Sequence, residues 1–157
     1  MTRRQFISLV ESRQRIFRRF FVALCCGDTA LADDITQEAL IKAYMAMSDL
    51  KDDECFDSWF YRLGYRTFLN YTRSRRTSLS FDDAPELTAQ ASADESFRYQ
   101  ELYRALDRLS VAERTSILLF YMEGYQIKEI ASIEGISESS VKQHLSRGRH
   151  HLRNLLK

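Results

Sequence analysis

The chain has 157 residues, of which 45% are hydrophobic and 12% aromatic, and its net charge is +1. This composition argues against disorder, and the length suits one mid-sized domain or two small ones. The charge excludes a polycation, and no apolar run approaches the roughly 18 residues of a membrane span. No secretory signal opens the chain, because arginines interrupt its first apolar stretch. We therefore predict a cytoplasmic protein without membrane insertion.

Charge is segregated along the chain. Residues 1–24 carry six Arg against one acid, and residues 27–57 carry nine acids against two Lys. Residues 77–95 carry five acids and no Lys or Arg, whereas residues 141–157 carry five basic residues and no acid. Such blocks favour two kinds of partner surface, one for phosphates and one for something basic. Solvated helix faces are the simpler explanation for any one block alone.

Helical periodicity runs through most of residues 1–76, and the whole chain has only five Gly and one Pro to interrupt it. An apolar stripe over residues 6–24 predicts a first helix that ends at Gly27–Asp28. A second helix is predicted to begin near Asp33, and a third to occupy residues 57–76.

The pattern stops at residues 77–95, which hold the only proline and have no sustained periodicity, so we predict an acidic flexible linker there. Periodicity then resumes. Ser110 and Glu113 fit a capping box at a helix start, and Gly124 is a natural cap at that helix's carboxyl end.

The stretch EIASIEGISESSVKQHLSRGR, residues 129–149, has the apolar skeleton of a helix-turn-helix. Gly135 lies at the turn, and Ser137 is the expected N-cap of the second helix. Gly148 falls on the core face of that last helix, which indicates close packing against another helix.

If Val141 and Leu145 face the core, the last helix presents a polar and basic face to solvent. Lys and Arg can address guanine edges and Gln can pair with adenine, so this face is predicted to read DNA. The outward residues are Lys142, Gln143, Ser146 and Arg147. Arg149, Arg153 and Lys157 are better placed for phosphates. An ordinary helical hairpin with a solvated basic face is the alternative interpretation.

The segment FDSWFYRLGYRTFLNYTRSRR, residues 56–76, interleaves aromatic residues with arginines. At about 100° per residue, Arg62, Arg66 and Arg73 fall within roughly 40° of one another on one face. Rings and guanidinium groups together suit melted or single-stranded DNA. Because aromatic residues at helical spacing are usually core, Trp59, Phe60 and Leu63 are expected to be mainly buried.

Catalysis and metal binding find little support. Cys25, Cys26 and Cys55 are an odd number without a C-x-x-C pair, and the adjacent two are expected to be buried thiols. The three His lie on the last basic helix, and no nearby carboxylate or Cys completes a metal site. No glycine-rich phosphate loop or nucleophile elbow is present. We predict a protein that is not an enzyme and has no cofactor.

These segments, with ADDITQEALIKAYMAM at residues 32–47 before them, resemble in order the extracytoplasmic function (ECF) sigma factors of bacteria. The resemblance implies an all-α protein of two small helical domains joined by an acidic flexible linker. Residues 1–76 would be the region 2-like domain, residues 77–95 the linker, and residues 96–157 the region 4-like helix-turn-helix domain.

The resemblance also implies site residues. The residues expected to bind core RNA polymerase are Asp34, Gln37, Glu38 and Lys42. The residues expected to recognise and melt the minus-ten element are Arg62, Arg66, Asn70, Tyr71, Arg73, Arg75 and Arg76. Recognition of the minus-thirty-five element falls to Ser139, Ser140, Lys142, Gln143, Ser146, Arg147 and Arg149. Arg66 and Gly64 depart from the family pattern, which usually has Asn at the first position and Ala or Thr at the second.

The expected function is therefore that of a transcription initiation factor. Its partners would be core RNA polymerase, promoter DNA and a separate anti-sigma factor. Two alternatives remain: a free-standing helix-turn-helix repressor or activator, and a helical module that mimics or sequesters a sigma factor. The first would bind duplex DNA tightly without polymerase, and the second would bind a protein and leave DNA alone.

Overall fold

The computed structural model describes residues 1–78 and 93–156, with side chains over residues 1–74 and 99–156. Within these ranges every regular element is helical, which confirms the all-α prediction. The helices are α1 (Arg3–Leu24), α2 (Thr29–Met45), α3 (Phe56–Ser78), α4 (Ala93–Asp107), α5 (Val111–Ile117), α6 (Ile127–Glu134) and α7 (Glu138–Leu155). Two single 3₁₀ turns, Met47–Asp49 and Asp53–Cys55, connect α2 to α3. A π-helical turn, Leu118–Met122, extends α5.

Most of the predicted linker lies outside the described residues. Of residues 77–95, the first two belong to the end of α3 and the last three to the start of α4. The domain boundaries at residues 76 and 96 stay predictions.

Side-chain caps explain where the helices begin. Ser110 and Glu113 form the predicted capping box of α5: the Ser110 hydroxyl accepts from the Glu113 N–H at 3.1 Å, and the Glu113 carboxylate accepts from the Ser110 N–H at 3.3 Å. The predicted start of α2 near Asp33 is wrong, because α2 begins at Thr29. The Asp28 carboxylate accepts the Leu31 N–H at 3.1 Å and so starts the helix earlier than its apolar pattern indicates.

Aromatic side chains from α1 and α3 form the core of the amino-terminal half. Phe17 stacks on Phe60 with ring centroids 4.2 Å apart, and Phe20 meets Tyr61 edge-on at 4.8 Å. These four side chains are at most 2% exposed. Offset and edge-on pairs stabilise a core beyond the area that they bury.

The carboxyl-terminal half packs directly on the amino-terminal half, and Arg114 of α5 forms the central contact. Its guanidinium group donates to the carbonyl oxygens of Leu24 at 2.8 Å and Leu106 at 2.9 Å, with a longer contact to the Leu109 oxygen at 3.5 Å. Leu24 ends α1, whereas the other two lie at the end of α4 and just beyond it. One buried side chain therefore joins three helices from both halves. We refer to this arrangement as the closed form.

Helix α6 adds to the closed form by packing against α3. The Tyr61 ring meets the Tyr125 ring edge-on at 5.8 Å, and the Tyr65 hydroxyl meets Thr115 of α5. Tyr61 and Tyr65 are 2% and 8% exposed. One face of α3 is therefore covered by the carboxyl-terminal half.

Gly64 allows the close approach of α1 and α3. A Cβ atom at this position would clash with the ring of Phe21, which is fully buried. Gly148 behaves in the same way, as predicted, because a Cβ atom there would lie 2.8 Å from Cγ1 of Ile117.

We predict that Gly64→Ala destabilises the protein. The added methyl group overpacks the core at a cost of about 1–3 kcal/mol. Because Phe21 is fully buried and enclosed by other rings, this cost exceeds the gain of about 1 kcal/mol from better helix propensity. Urea unfolding should therefore show a lower midpoint with an unchanged slope. Asn70→Ala on the exposed face of α3 is the control and should not lower the midpoint. A Gly64→Ala midpoint at or above that of the wild type would contradict the prediction.

Candidate nucleic-acid interface

The predicted helix-turn-helix is formed by α6, a turn at Gly135 and α7. Gly135 ends α6 in the left-handed conformation with φ of 70°. Ser137 caps α7 as predicted, since its hydroxyl accepts the Ser140 N–H at 3.1 Å. Val141 and Leu145 are buried at 0% and 2% exposure. They orient α7 so that the opposite face looks outward.

That outward face carries the predicted base-reading residues. Lys142, Gln143, Ser146 and Arg147 are all exposed, as is Ser139 in the first turn. Ser140 differs, because it is half-buried and its hydroxyl accepts from Ser137 Oγ at 2.9 Å. The cap therefore already uses Ser140. Contact of this face with DNA stays a prediction.

Arg149 lies beside the outward face, with its guanidinium group donating to the Tyr121 hydroxyl at 3.1 Å. Tyr121 is 57% exposed at the π-helical turn. Arg149 is predicted to contact phosphates, and the aromatic ring and hydroxyl of Tyr121 extend the surface around it. The sequence pattern does not indicate Tyr121, because its neighbours in space come from the far end of α7.

The arginine-bearing face of α3 is open to solvent. Arg66, Asn70 and Arg73 are exposed, whereas Arg62 and Tyr71 are half-buried. The side chains of Arg75 and Arg76, also predicted for this surface, lie outside the described residues. Arg66 and Arg73 are therefore exposed to solvent while the Tyr61 and Tyr65 rings on the other face are covered.

Three residues of α3 are expected to be mainly core, and only one of them is fully buried. Phe60 is fully buried, whereas Trp59 and Leu63 are half-buried and pack on the rim of the core. Of the aromatic side chains, only Trp59 and Tyr71 keep partial exposure along the described part of α3. These two are the rings that a base could reach in the closed form.

The predicted polymerase-binding residues lie on α2. Asp34 and Gln37 are exposed, and Glu38 and Lys42 are half-buried with a 3.8 Å ion pair between them. The Lys42 ammonium group also donates to the Thr67 hydroxyl of α3 at 3.4 Å. These contacts tie the polar side of α2 to α3.

Tyr71 marks the border between the two predicted surfaces of the amino-terminal half. Partial burial, followed by the nearby carboxylates of Glu38 and Asp34, raises the pKa of Tyr71. Tyr71 on α3 is predicted to bind DNA, and the two acids on α2 are predicted to bind polymerase. The structure therefore brings together two sites that the sequence keeps some 33 to 37 positions apart.

Three large apolar side chains on α2 are exposed beside this polar side. Ile41 is 61%, Tyr44 42% and Met45 78% exposed. Exposed apolar side chains in one group are typical of a surface that binds another protein. The sequence does not identify them, because an amphipathic helix with this pattern predicts burial of its apolar positions.

One of the three His lies beside a carboxylate that is distant in the sequence. His151 Nδ1 lies 3.2 Å from Glu113 Oε1, an approach of α7 to α5 that sequence separation hides. Among the described residues no group of three potential metal ligands converges.

Cys25 and Cys26 are buried as predicted, Cys55 is exposed, and burial raises the pKa of Cys26 to about 11. No helix in the described ranges is long and apolar enough to cross a membrane.

Comparison with known proteins gives two family matches. The model of Sigma-70 region 2 matches residues 8–77, and the model of Sigma-70, region 4 matches residues 99–152. These ranges contain α2, nearly all of α3, the whole of α6 and α7 up to residue 152.

Similar sequences and structures agree with the family matches. The RNA polymerase sigma factor SigV of Bacillus subtilis is 29% identical over 139 residues, which cover 88% of this chain and 82% of that protein. The ECF RNA polymerase sigma-E factor of Escherichia coli is 29% identical over 136 residues, covering 77% and 71%. The sigma factor RpoE of Bartonella quintana, solved in complex with the anti-sigma factor NepR, has the same fold with a TM-score of 0.79 at 23% identity, covering 97% of this chain and 96% of that one. CnrH, solved with the cytosolic domain of CnrY, has a TM-score of 0.73 at 22% identity, covering 99% and 89%.

Proposed function

Because the chain belongs to the ECF sigma factors of the sigma-70 family, whose members act with RNA polymerase in transcription initiation, we propose that it directs core polymerase to promoters through two DNA elements. The observation that carries the proposal is the exposed face of α7, held outward by buried Val141 and Leu145. A helix-turn-helix with Lys, Gln, Ser and Arg on that face suits base edges in a major groove. The minus-thirty-five element is its proposed target.

The minus-ten element is the proposed target of α3. Arg66, Asn70 and Arg73 are exposed along this helix, with Arg62 and Tyr71 beside them. Guanidinium groups next to partly exposed rings suit a melted strand, because phosphates meet charge while bases stack. We assign duplex opening to this surface.

Core polymerase is the proposed partner of α2. Its polar residues Asp34, Gln37, Glu38 and Lys42 adjoin the exposed apolar side chains Ile41, Tyr44 and Met45. Interfaces between proteins combine an apolar centre with a polar rim. The two solved relatives are bound to an anti-sigma factor or to the cytosolic domain of another protein, and we propose a separate anti-sigma factor as a further partner here.

Simultaneous use of both DNA elements requires the closed form to open. The elements lie about 25 base pairs apart by their names, which is roughly 85 Å at 3.4 Å per base pair. Helix α7 has 18 residues and is about 27 Å long. Helix α6, which precedes it in the helix-turn-helix, packs directly against α3. The two DNA-reading helices are therefore too close together in the closed form, and we propose that binding to polymerase separates them.

The first experiment is to measure binding of the labelled full-length chain to purified core RNA polymerase, in parallel with binding to a duplex library without polymerase. Tight polymerase binding and weak DNA binding alone are expected. Asp34→Ala should weaken polymerase binding, whereas Glu11→Ala, an exposed acid on α1, should not. Tight, specific DNA binding without affinity for polymerase would instead indicate a conventional repressor or activator. Polymerase binding that never supports transcription would indicate a sequestering module.

We predict that Arg147→Ala weakens recognition of the minus-thirty-five element by about 1–3 kcal/mol, the discrimination expected of a bidentate contact to guanine. The measurement is promoter binding by the polymerase complex, with matched and mutated elements. Arg108→Ala removes another exposed arginine, away from the proposed surface, and should leave binding unchanged. Equal loss on all sequences would show that Arg147 contacts only phosphate.

We also predict that Arg62→Ala combined with Arg66→Ala impairs promoter opening more than polymerase binding. These arginines share one face of α3, and their loss removes charge that would hold the displaced strand. Permanganate reactivity of the melted region reports opening directly. The double variant Arg4→Ala with Arg15→Ala, two exposed arginines on α1, is the matched control. Unchanged permanganate reactivity in the first variant would contradict this role.

A further inference from the structure

Two carboxyl groups are buried where the carboxyl-terminal half meets the amino-terminal half. Glu134 ends α6, the helix that packs on α3. Its Oε2 accepts from the Ser116 hydroxyl at 2.6 Å, whereas its Oε1 is buried and reaches no hydrogen-bond partner among the described residues. A buried carboxylate oxygen without a donor is costly, and protonation of the group removes most of that cost.

The surroundings of Glu134 hold no compensating cation in the part of the chain that the structure describes. The Ser116 hydroxyl faces it from α5 and the Tyr65 phenol faces it from α3. No charged side chain from α7 or from the π-helical turn acts on it within the described ranges. Burial raises the pKa of Glu134 to about 7, against a smaller opposite effect of the Ser116 hydroxyl.

Glu123 repeats this arrangement at the other end of the contact. Its side chain is 7% exposed, and its buried Oε1 lacks a hydrogen bond of full geometry. The Tyr61 hydroxyl of α3 nevertheless interacts with this carboxyl group and partly opposes the rise in its pKa. Arg19 of α1 approaches only to 4.0 Å and is 61% exposed, so solvent screens it. The Tyr61 phenol and the Asp57 carboxylate face it from α3, and burial is the largest cause that raises the pKa of Glu123.

We propose that the closed form takes up protons on Glu134 and Glu123, so that the contact between the two halves is a pH-sensitive latch that opens as pH rises. This inference concerns the contact itself and does not rest on DNA or polymerase binding. Opening exposes both carboxyl groups to water, where they ionise freely.

The direction of the effect follows from proton linkage. A carboxyl group whose pKa is higher in the closed form binds more protons there, so low pH favours closure. For Glu134 the advantage is complete below the ordinary pKa of 4.5 and is lost as pH rises to about 7. One proton taken up on closure changes the open–closed equilibrium constant by at most about tenfold per pH unit.

Small-angle X-ray scattering of the full-length chain from pH 5.5 to 8.0 tests the latch. A compact chain of this length has a radius of gyration of about 15 Å, and we expect the wild type to expand from that value as pH rises. Glu134→Gln keeps an acceptor for Ser116 without a charge and should stay compact at pH 8.0. Glu101→Gln, at an exposed acid of α4, should expand as the wild type does.

Three results would overturn the proposal. One is a wild-type radius of gyration that does not change with pH while circular dichroism shows intact helices, a test that needs no substitution. Another is an unchanged pH response in Glu134→Gln and in Glu123→Gln, which would show that neither carboxyl group controls the contact. Loss of compactness at low pH in Glu134→Gln would also contradict it, provided that the variant remains helical.

Discussion

The closed form depends on one guanidinium group. The carbonyl groups in the last turn of a helix have no partner within that helix. Here Arg114 reaches the final carbonyl of α1, one in the last turn of α4 and one just beyond α4. Arginine suits this position because its charge is permanent and its donors form a rigid fork. Its positive charge also complements the negative carboxyl end of α1. A movement of α5 away from α1 that is too small to admit water therefore leaves the Leu24 carbonyl buried without its donor, which makes the contact sensitive to small rearrangements.

Helix α3 is shared between the two halves of the molecule. Its Tyr61 and Tyr65 rings pack under the carboxyl-terminal half, whereas Arg66 and Arg73 remain in solvent. The long-range attraction to a phosphate backbone is therefore present in the closed form, but most of the aromatic surface that could stack on bases is not. If α3 opens duplex DNA as proposed, this division separates attraction to DNA in general from opening of the duplex, because opening would need the aromatic surface that only separation of the halves exposes.

Local sequence patterns predict most of the helices of this fold, but they do not predict the contact between its two halves. The capping box at Ser110, the outward face of α7 and the close approach at Gly148 follow from residues within a few turns of one another, which spacing alone can indicate. The early start of α2 does not, because Asp28 belongs equally well to the preceding turn. Glu134 and Tyr65 each fit an ordinary exposed position on an amphipathic helix. Their burial comes from contacts between residues far apart in the chain, and periodicity carries no information about those.

The π-helical turn at Leu118–Met122 has an evolutionary consequence. A π turn is equivalent to one residue inserted into an α-helix, and such insertions persist where they serve a function. Deleting one residue from this turn would restore regular α-helical winding and rotate everything that follows by about 100°. Glu123 and Tyr125 would then leave the contact with α3, and α7 would also lose its packing against α5. The extra residue of this turn therefore sets the position of the helix-turn-helix against α5 and against α3 at once, and a single deletion there could not change one contact without the other.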